Sequence, residues 1–140
     1  MSKAIILLDL DCFYAQVWML KDASLRRVPV GVQQKGIIVT CNFLARSFGC
    51  SKLMSIKEAR IRCPTLQLVS GEDLTEFRRT SRSVWKLLQS IPNSSVERVS
   101  LDEFFIELDI GRLHSVRDDL WGAAMRDAGA NRSHFAGHVY

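Results

Sequence analysis

A short apolar run near the N-terminus ends in two acidic and two aromatic residues. This stretch, Ile5 to Tyr14, reads IILLDLDCFY, and four apolar residues precede Asp9. Four residues match the length of a buried strand and fall far short of the ~20 needed to cross a membrane. The pattern predicts a core strand that presents Asp9 at its C-terminal end. Asp11 is then expected to cap the following helix, which runs to Lys21.

The rest of the chain alternates between strand-like and helix-like patterns. β-Branched stretches on either side of a polar turn predict a hairpin at 30–41, and the S-x-x-E spacing of Ser55 and Glu58 predicts a capped helix that ends before Pro64. The pattern further predicts a short helix at 42–48, a strand at 66–69, a long helix at 74–91, a hairpin at 96–108 and a helix at 116–125. The apolar residues of the long helix recur at helical spacing, which indicates packing rather than a cofactor site. They are Leu74, Phe77, Val84, Leu88 and Ile91.

A second acidic feature interrupts the later hairpin. Asp102 and Glu103 lie inside a stretch of β-branched and aromatic residues, where carboxylates are costly to bury without a cationic partner. An isolated D-x-D is more simply explained as a turn and a cap, but three carboxylates exceed what capping requires. Hard divalent cations prefer such oxygen ligands, and Arg46 and Lys52, which lie between the two acidic stretches, are suited to phosphate.

Composition narrows the class of protein. The chain has 140 residues with 47% hydrophobic and 24% charged residues, which indicates one soluble globular domain with a real core rather than a disordered or fibrous protein. The net charge is +4, with +7 in residues 1–100 and −3 in residues 101–140. A basic body suggests a polyanionic partner, and a solvated surface explains it equally well.

The cysteines and histidines do not form a metal-binding pattern. The four cysteines lack C-x-x-C spacing and follow no leader-like segment, so we expect reduced, mostly buried thiols in an intracellular protein. His134 and His138 stand four residues apart, but Gly137 between them and the lack of nearby thiols argue against zinc.

Six segments, in order, give the sequence a family resemblance. They are DLDCFYAQV (9–17), PVGVQQK (29–35), VTCNFLAR (39–46), KLMSIKEA (52–59), CPTLQLVSGEDLTEFR (63–78) and ERVSLDEFFIEL (97–108). Together they resemble the N-terminal part of a Y-family translesion DNA polymerase of the iota type, and GHVY at 137–140 is also iota-like.

The resemblance implies an α+β fold: a partial polymerase palm, with a mixed or antiparallel sheet and helices on one face, and an inserted small fingers subdomain. Residues 1–12 would begin the palm, 13–73 would form the fingers, and 74–140 would return to an incomplete palm, without the thumb and little-finger domains that grip duplex DNA.

The resemblance also implies the site. Asp9, Asp102 and Glu103 match the catalytic metal-binding carboxylates for two Mg²⁺ ions, or Mn²⁺, with the backbone carbonyl of Leu10 as a further ligand. Tyr14 matches the aromatic residue that lies under the incoming sugar and excludes a 2′-hydroxyl. The positions that match triphosphate-binding residues are Thr40, Phe43, Arg46 and Lys52. Those that match template-base contacts are Gln34, Ile37 and Val39, for which ordinary hairpin packing is an equal explanation.

Three positions depart from the family pattern. The family usually has Tyr where this chain has Phe43, which removes a hydroxyl worth about 0.5–1.5 kcal/mol in one hydrogen bond. It usually has Glu at Leu44 and Trp18, so a charge partner for Arg46 is in doubt.

The resemblance implies nucleotidyl transfer from a dNTP to a primer 3′-hydroxyl on primer–template DNA, in bypass of damaged templates. It places the protein inside the cell, in the nucleus of a eukaryote, away from membranes. Sliding-clamp or polymerase-switching partners would bind through segments outside this chain. Two alternatives stay open: an inactive, truncated DNA-binding fragment, and an aspartyl-phosphate phosphohydrolase with Asp9 as nucleophile, Asp11 as general acid and Asp118–Asp119 as its later acidic pair.

Overall fold

The computed structural model describes residues 2–113, 115–116 and 118–119, together with the backbone of 137–139. Two compact units make up the chain. Unit 1 comprises Met1–Asp11 and Arg78–Tyr140, and unit 2 comprises Cys12–Phe77. The predicted helix at 116–125 and the side chains of His134 and His138 fall largely or wholly outside the described residues.

The fold is a mixed α+β arrangement of small sheets and helices, as the sequence predicted. The elements are β1 (Lys3–Leu10), α1 (Phe13–Lys21), β2 (Val30–Gln34), β3 (Ile37–Cys41), α2 (Phe43–Ser47), α3 (Ile56–Arg62), β4 (Gln67–Ser70), α4 (Thr75–Gln89), β5 (Ser94–Arg98), β6 (Glu103–Asp109) and β7 (Gly137–Val139). Short 3₁₀ turns occupy Ala23–Arg27 and Ile110–Arg112. Within the described residues, no helix is long and apolar enough to cross a membrane.

Unit 1 contains a four-stranded antiparallel sheet in the order β5-β6-β1-β7. Successive side chains of a strand point to opposite faces, and β1 and β6 each bury one face only. The buried face holds Ile6, Leu8 and Leu10 from β1, and Phe104, Ile106 and Leu108 from β6, each 8% exposed or less. The opposite face leaves Ile5 and Phe105 exposed. The first apolar run is therefore a one-sided strand inside the sheet, and Asp9 lies on its less buried face.

Unit 2 contains a three-stranded sheet in the order β3-β2-β4, in which β2 pairs antiparallel with β3 and parallel with β4. The predicted hairpin is confirmed, with its turn at Lys35 and Gly36. One hydrophobic cluster packs against this sheet and includes three buried cysteines: Ile38, Cys41, Ala45, Cys50, Ala59, Cys63 and Leu66. All four cysteines of the chain are free thiols and buried, as predicted.

Helix termini in unit 2 follow local sequence rules with one exception. Ser55 caps α3, since its hydroxyl accepts from the Glu58 N–H at 3.1 Å; the Glu58 carboxylate pairs with Arg62. Gly49, just beyond α2, has φ +94°, which a side chain rarely tolerates. The exception is α1. Its N-cap position falls on Cys12, in a left-handed conformation without a side-chain cap, one residue later than the predicted Asp11.

Candidate active site

The backbone of unit 1 brings the candidate metal ligands to one end of the central strand. Asp9 and Glu103 are directly opposite each other in the β1–β6 ladder. One residue further, the Leu10 N–H donates to the Asp102 carbonyl oxygen at 2.9 Å. On the other side of β1, Asp9 is in register with His138 of β7. These backbone hydrogen bonds thus bring Asp9 close to two adjacent acids, Asp102 and Glu103, that lie far from it in the sequence.

The side chains of these acids differ in their surroundings. Opposite residues of an antiparallel pair extend to the same face with Cβ atoms ~5 Å apart, so Asp9 and Glu103 form a cross-strand pair of like charges. Both are half-buried. Asp102 lies in the β5–β6 loop, where its carboxylate accepts from the Ser100 hydroxyl at 3.0 Å. Across the described residues, no three His, Cys, Asp or Glu side chains are grouped so as to hold a metal ion.

The donor chemistry nevertheless fits a hard divalent cation. Carboxylate and backbone carbonyl oxygens are the ligands that Mg²⁺ and Ca²⁺ prefer. Like charges directly across a strand pair destabilise a sheet, and a cation between them offsets that repulsion. Asp9 and Glu103 therefore form the core of the candidate site, with the Leu10 carbonyl and Asp102 beside them.

Unit 2 carries the candidate nucleotide-binding residues. Tyr14, in the first turn of α1, is half-buried, and Thr40 on β3 is only 9% exposed. Phe43, Arg46 and Lys52 are exposed, on α2 and in the loop that follows it. The structure thus places two of these side chains against the core of unit 2 and three on its surface.

Arg46 lies over the ring of Phe43, with its guanidinium carbon 5.3 Å from the ring centroid, in a cation–π arrangement. It also neighbours Cys41. Burial raises the pKa of the Cys41 thiol, and the hydrogen bond and charge of Arg46 partly oppose that shift. Among the ion pairs formed by described residues, none includes Arg46 or Lys52. Both cations are exposed on the surface of unit 2.

The candidate template-contacting residues lie on the β2–β3 hairpin. Gln34 is held in place, since its side-chain amide donates to the Gly71 carbonyl at 2.7 Å. Gly71 allows this approach, because a Cβ there would lie 3.1 Å from Gln34 Cγ and 2.8 Å from Val32 Cγ1. Ile37 forms an isolated bridge with Ser55. Gln34 and Ile37 are half-buried, so part of the hairpin surface stays accessible.

Val39 is also half-buried, and it packs with Tyr14 against a small cluster formed by Cys12, Ala15 and Val32.

Trp18, one of the positions expected to depart from the family pattern, has a structural role of its own. The Trp18 indole N–H donates to the Ser70 carbonyl at 2.8 Å, which joins α1 to the end of β4. The Lys21 ammonium lies 5.3 Å from the Trp18 ring centroid. Leu44 is 40% exposed on α2. Trp18 therefore ties α1 to the end of β4.

Sequence reasoning missed two residues that organise these sites. Asn42 is 2% exposed, and its carboxamide oxygen accepts from the N–H groups of Val30 and Ala45, both at 3.0 Å. Its amide nitrogen donates to the Val28 carbonyl at 2.8 Å. Ser100, which holds Asp102, is the second. An Asn at a strand-to-helix junction is a detectable N-cap signal, whereas nothing local distinguishes Ser100.

Comparison with known proteins agrees with the motifs. Residues 8–131 match the impB/mucB/samB family. The chain is 49% identical to the DNA polymerase iota of Homo sapiens over 107 residues, which cover 76% of this chain and 14% of that protein. It is 46% identical to the DNA polymerase iota of Drosophila melanogaster over 107 residues, with the same coverage of both.

A bacterial relative extends the similarity. The chain is 32% identical to the DNA polymerase IV of Glaesserella parasuis serovar 5 (strain SH0165) over 133 residues, which cover 86% of this chain and 37% of that protein. The chain thus spans about a seventh of the length of the iota relatives. On its motifs and on the family match, which includes most of its residues, the chain belongs to the impB/mucB/samB family, the Y family of DNA polymerases.

Proposed function

We propose that this chain carries the catalytic and nucleotide-binding residues of a template-directed DNA polymerase of the translesion type. The reaction would transfer a nucleotide from a dNTP to a primer 3′-hydroxyl on primer–template DNA. The observation that carries the proposal is the direct register of Asp9 with Glu103, beside Asp102, in a chain of this family. Relatives named DNA polymerase iota and DNA polymerase IV support the same activity.

The two compact units support a division into palm and fingers. In this proposal unit 1 is the palm, because its sheet carries the acids, and unit 2 is the fingers, because it carries the cations and the hairpin. The unit limits at Asp11 and Phe77 lie within a few residues of the proposed limits at 12 and 73.

Asp9, the Leu10 carbonyl, Asp102 and Glu103 would hold two Mg²⁺ ions, or Mn²⁺. When bound, these ions supply charge stabilisation to the attacking and leaving oxygens of phosphoryl transfer. The chain orients the ligands. The β1–β6 ladder fixes the positions of Asp9 and Glu103, and the Ser100 hydroxyl restrains the Asp102 carboxylate. A rigid set of ligands loses little conformational entropy when it binds its cations.

In unit 2, Arg46 and Lys52 would bind the triphosphate with Thr40 and Phe43. A guanidinium and an ammonium suit phosphate oxygens, and neither forms an ion pair with the described residues. Tyr14 would lie under the sugar. Gln34, Ile37 and Val39 would lie against the template base. Because Phe43 lacks a hydroxyl, the hydrogen bonds to the phosphates would come from Arg46, Lys52 and Thr40.

Primer extension tests the proposal. The assay would use the 140-residue chain, and the same chain joined to the remaining length of a polymerase iota relative, with Mg²⁺ and with Mn²⁺. Extension in either protein, lost in Asp9→Asn and in Glu103→Gln, is the expected result. Extension that survives both substitutions, or no extension in either protein, would overturn it. DNA binding without extension would favour the alternative of an inactive DNA-binding fragment.

The aspartyl-phosphate phosphohydrolase alternative gains no support. It needs Asp118–Asp119 as an acidic pair at a strand end, but Asp119 forms an ion pair with Arg112 at 2.5 Å outside any strand. For the polymerase, a nuclear location in a eukaryote and clamp or polymerase-switching partners remain part of the proposal, with the partners bound through segments outside these residues.

A further inference from the structure

Helix α4 presents a row of cations on its exposed side. Arg78, Arg82 and Lys86 are all exposed, belong to unit 1 and follow one another at intervals of four residues. Each interval moves about 40° around the helix axis and about 6 Å along it. The three side chains therefore start from one face of the helix, along about 12 Å of its length. We call these three residues the α4 stripe.

Another side of α4 is buried in the fold. Ser81 is 0% exposed and Leu88 is 1% exposed. The Ser81 hydroxyl donates to the Leu101 carbonyl oxygen at 2.5 Å, which ties the helix to the loop before β6. These contacts fix the rotation of α4 about its axis, so that the stripe faces solvent.

The stripe is unfavourable for the helix that carries it. Like charges four residues apart on a helix repel each other, and both neighbouring pairs of the stripe have this spacing. The one acid of α4, Glu76, lies two residues before Arg78 and so about 200° away around the axis. Among the described residues, no ion pair includes a member of the stripe. An anion bound along the stripe would offset this repulsion.

A fourth cation lies beside the stripe. Trp85 is half-buried and follows Arg82 by three residues, so the two side chains are neighbours on the helix surface. Arg98, on β5, lies over the Trp85 ring, with its guanidinium carbon 5.9 Å from the ring centroid in a cation–π arrangement. Arg98 therefore extends the positive surface from α4 to β5.

The composition of this surface favours phosphate groups over a protein or a membrane as its partner. Interfaces between proteins have an apolar core, and helices that lie on membranes insert an apolar face. Among the described residues, none of the large exposed apolar side chains lies on α4. Guanidinium groups bind phosphate oxygens through paired hydrogen bonds, and a basic stripe along a helix is typical of nucleic-acid binding.

The same surface suits double-stranded DNA better than a single strand. Proteins that bind single strands stack the bases on exposed aromatic rings. Trp85, which borders the stripe, is half-buried and has Arg98 over its ring. Duplex DNA carries one negative charge per about 1.7 Å of its axis, so a row of cations binds it without contacting the bases.

We propose that the α4 stripe, extended by Arg98, is a DNA-binding surface that contacts the phosphate backbone of double-stranded DNA. It uses none of the residues of the candidate active site and needs neither a metal ion nor a nucleotide. The inference goes beyond the proposed function, because a chain without polymerase activity would still bind duplex DNA in this way.

Fluorescence anisotropy of a labelled, blunt-ended DNA duplex, measured in EDTA at several NaCl concentrations, tests the proposal. The stripe variant of the 140-residue chain combines Arg78→Gln, Arg82→Gln and Lys86→Gln. We expect it to bind the duplex about tenfold more weakly or worse at low salt. The slope of log K against log[NaCl] should become less steep by about two to three, because each lost phosphate contact releases about one counterion fewer.

The control variant combines Arg27→Gln, Lys57→Gln and Arg60→Gln, three exposed cations of unit 2. It has the same net charge as the stripe variant, so it separates the position of the charges from their number. We expect its salt dependence to match that of the wild-type chain. Equal losses of affinity in the two variants would show that total charge, not the stripe, binds the DNA.

Two further measurements keep the test independent of folding and of the proposed function. Glutamine is a good helix former, so the melting temperature of the stripe variant should be no lower than that of the wild-type chain. Arg98→Gln, a single substitution outside α4, should weaken binding about twofold and lower the salt slope by about one. Unchanged binding in Arg98→Gln would remove Arg98 from the surface. Because EDTA removes divalent cations, a failure of primer extension would not affect these results.

The identity of the partner is tested by competition. An unlabelled duplex should displace the labelled one at a lower concentration of charge than a single strand of the same length or polyglutamate. Displacement by the single strand or by polyglutamate at the same or a lower concentration would overturn the assignment to duplex DNA. No binding of the duplex by the wild-type chain at low salt would overturn the proposal as a whole.

Discussion

The two units place their candidate functional residues by different physical means. In unit 1 the acids are on a strand and at a strand start, so the hydrogen bonds of the ladder determine where Asp9 and Glu103 lie. In unit 2 the cations Arg46 and Lys52 are exposed side chains on a short helix and a loop. Strand register fixes a position closely, whereas long exposed side chains sample many rotamers. Unit 1 is therefore suited to hold ligands in fixed geometry, and unit 2 to adapt to an anion.

The cores of the two units also differ in the kinds of side chain that they bury. Unit 1 buries large side chains between strands, including Phe104, Ile106 and Leu108. Unit 2 also buries large side chains, such as Phe13, Ile38 and Phe77, but all four cysteines of the chain belong to it. It relies more on hydrogen bonds from buried polar side chains such as Asn42. The two units should therefore respond differently to substitution.

The largest effect is expected in unit 1. Phe104→Ala should lower the free energy of unfolding by about 3–5 kcal/mol, because it leaves a cavity in a fully buried site. Its neighbour Phe105, 38% exposed on the opposite face, is a matched control that should cost much less. Urea unfolding followed by circular dichroism measures both. Equal costs would show that the face assignment of β6 is wrong.

In unit 2 the buried residue whose removal we test is polar, Asn42, whereas in unit 1 it is the apolar Phe104. Asn42→Ala should cost about 2–3 kcal/mol, because it removes three hydrogen bonds and leaves buried backbone groups unsatisfied. Ser47→Ala, on the exposed surface of α2, is the control. Urea midpoints of both variants provide the comparison. A cost for Asn42→Ala no larger than the control would remove Asn42 as the organiser of the β2–α2 junction.

A smaller effect is expected at the start of α3. Ser55→Ala should destabilise the chain by about 1 kcal/mol through loss of the side-chain cap to the Glu58 N–H. Ser51→Ala, at a nearby exposed position, should leave stability unchanged. The melting temperatures of the two variants, measured at one pH, provide the comparison. Indistinguishable melting temperatures would argue against a stabilising cap at Ser55.

The buried cysteines of unit 2 should make the stability of the chain depend on pH in the alkaline range but not at neutral pH. Burial raises the pKa of the Cys41 and Cys50 thiols above the ordinary value of 9.0. The folded chain therefore holds these protons more tightly than the unfolded chain does. Stability should be unaffected below about pH 9 and fall as the pH rises above it.

Melting temperatures between pH 7 and pH 10 measure this dependence, and Cys41→Ala should weaken it, leaving the part that Cys50 contributes. A wild-type profile that the substitution leaves unchanged would assign the alkaline loss to other groups.

Local features of this fold were predictable from the sequence and non-local ones were not. The Ser55 cap and the β2–β3 hairpin follow from short-range patterns and were found where predicted. The register of Asp9 with Glu103 joins residues far apart in sequence, so the pattern suggested their grouping but not their alignment. The N-cap position of α1 falls on Cys12 rather than on the predicted Asp11, and the positive φ of Cys12 is unusual for a residue with a side chain.

The sequence predicted which types of side chain form the candidate site, but not the neighbouring residues that hold those side chains in place. Residue types alone indicate carboxylates for a cation and cationic side chains for phosphate. The stack of Phe77 under Tyr14 and the hydrogen bond from Ser100 to Asp102 depend on which turns meet in space. Such contacts leave no periodic trace in the sequence.

The central claim is that the acids at the end of β1 and the start of β6 form a divalent-cation site, and Mn²⁺ binding tests it most directly. Calorimetry or electron paramagnetic resonance would compare the wild-type chain with Glu103→Gln and Glu107→Gln. Glu107 lies on the same strand and face, near Lys3, so its variant carries the same charge change. We expect Glu103→Gln to weaken Mn²⁺ binding by roughly tenfold or more and Glu107→Gln to leave it unchanged. Equal affinities in the two variants would contradict the claim.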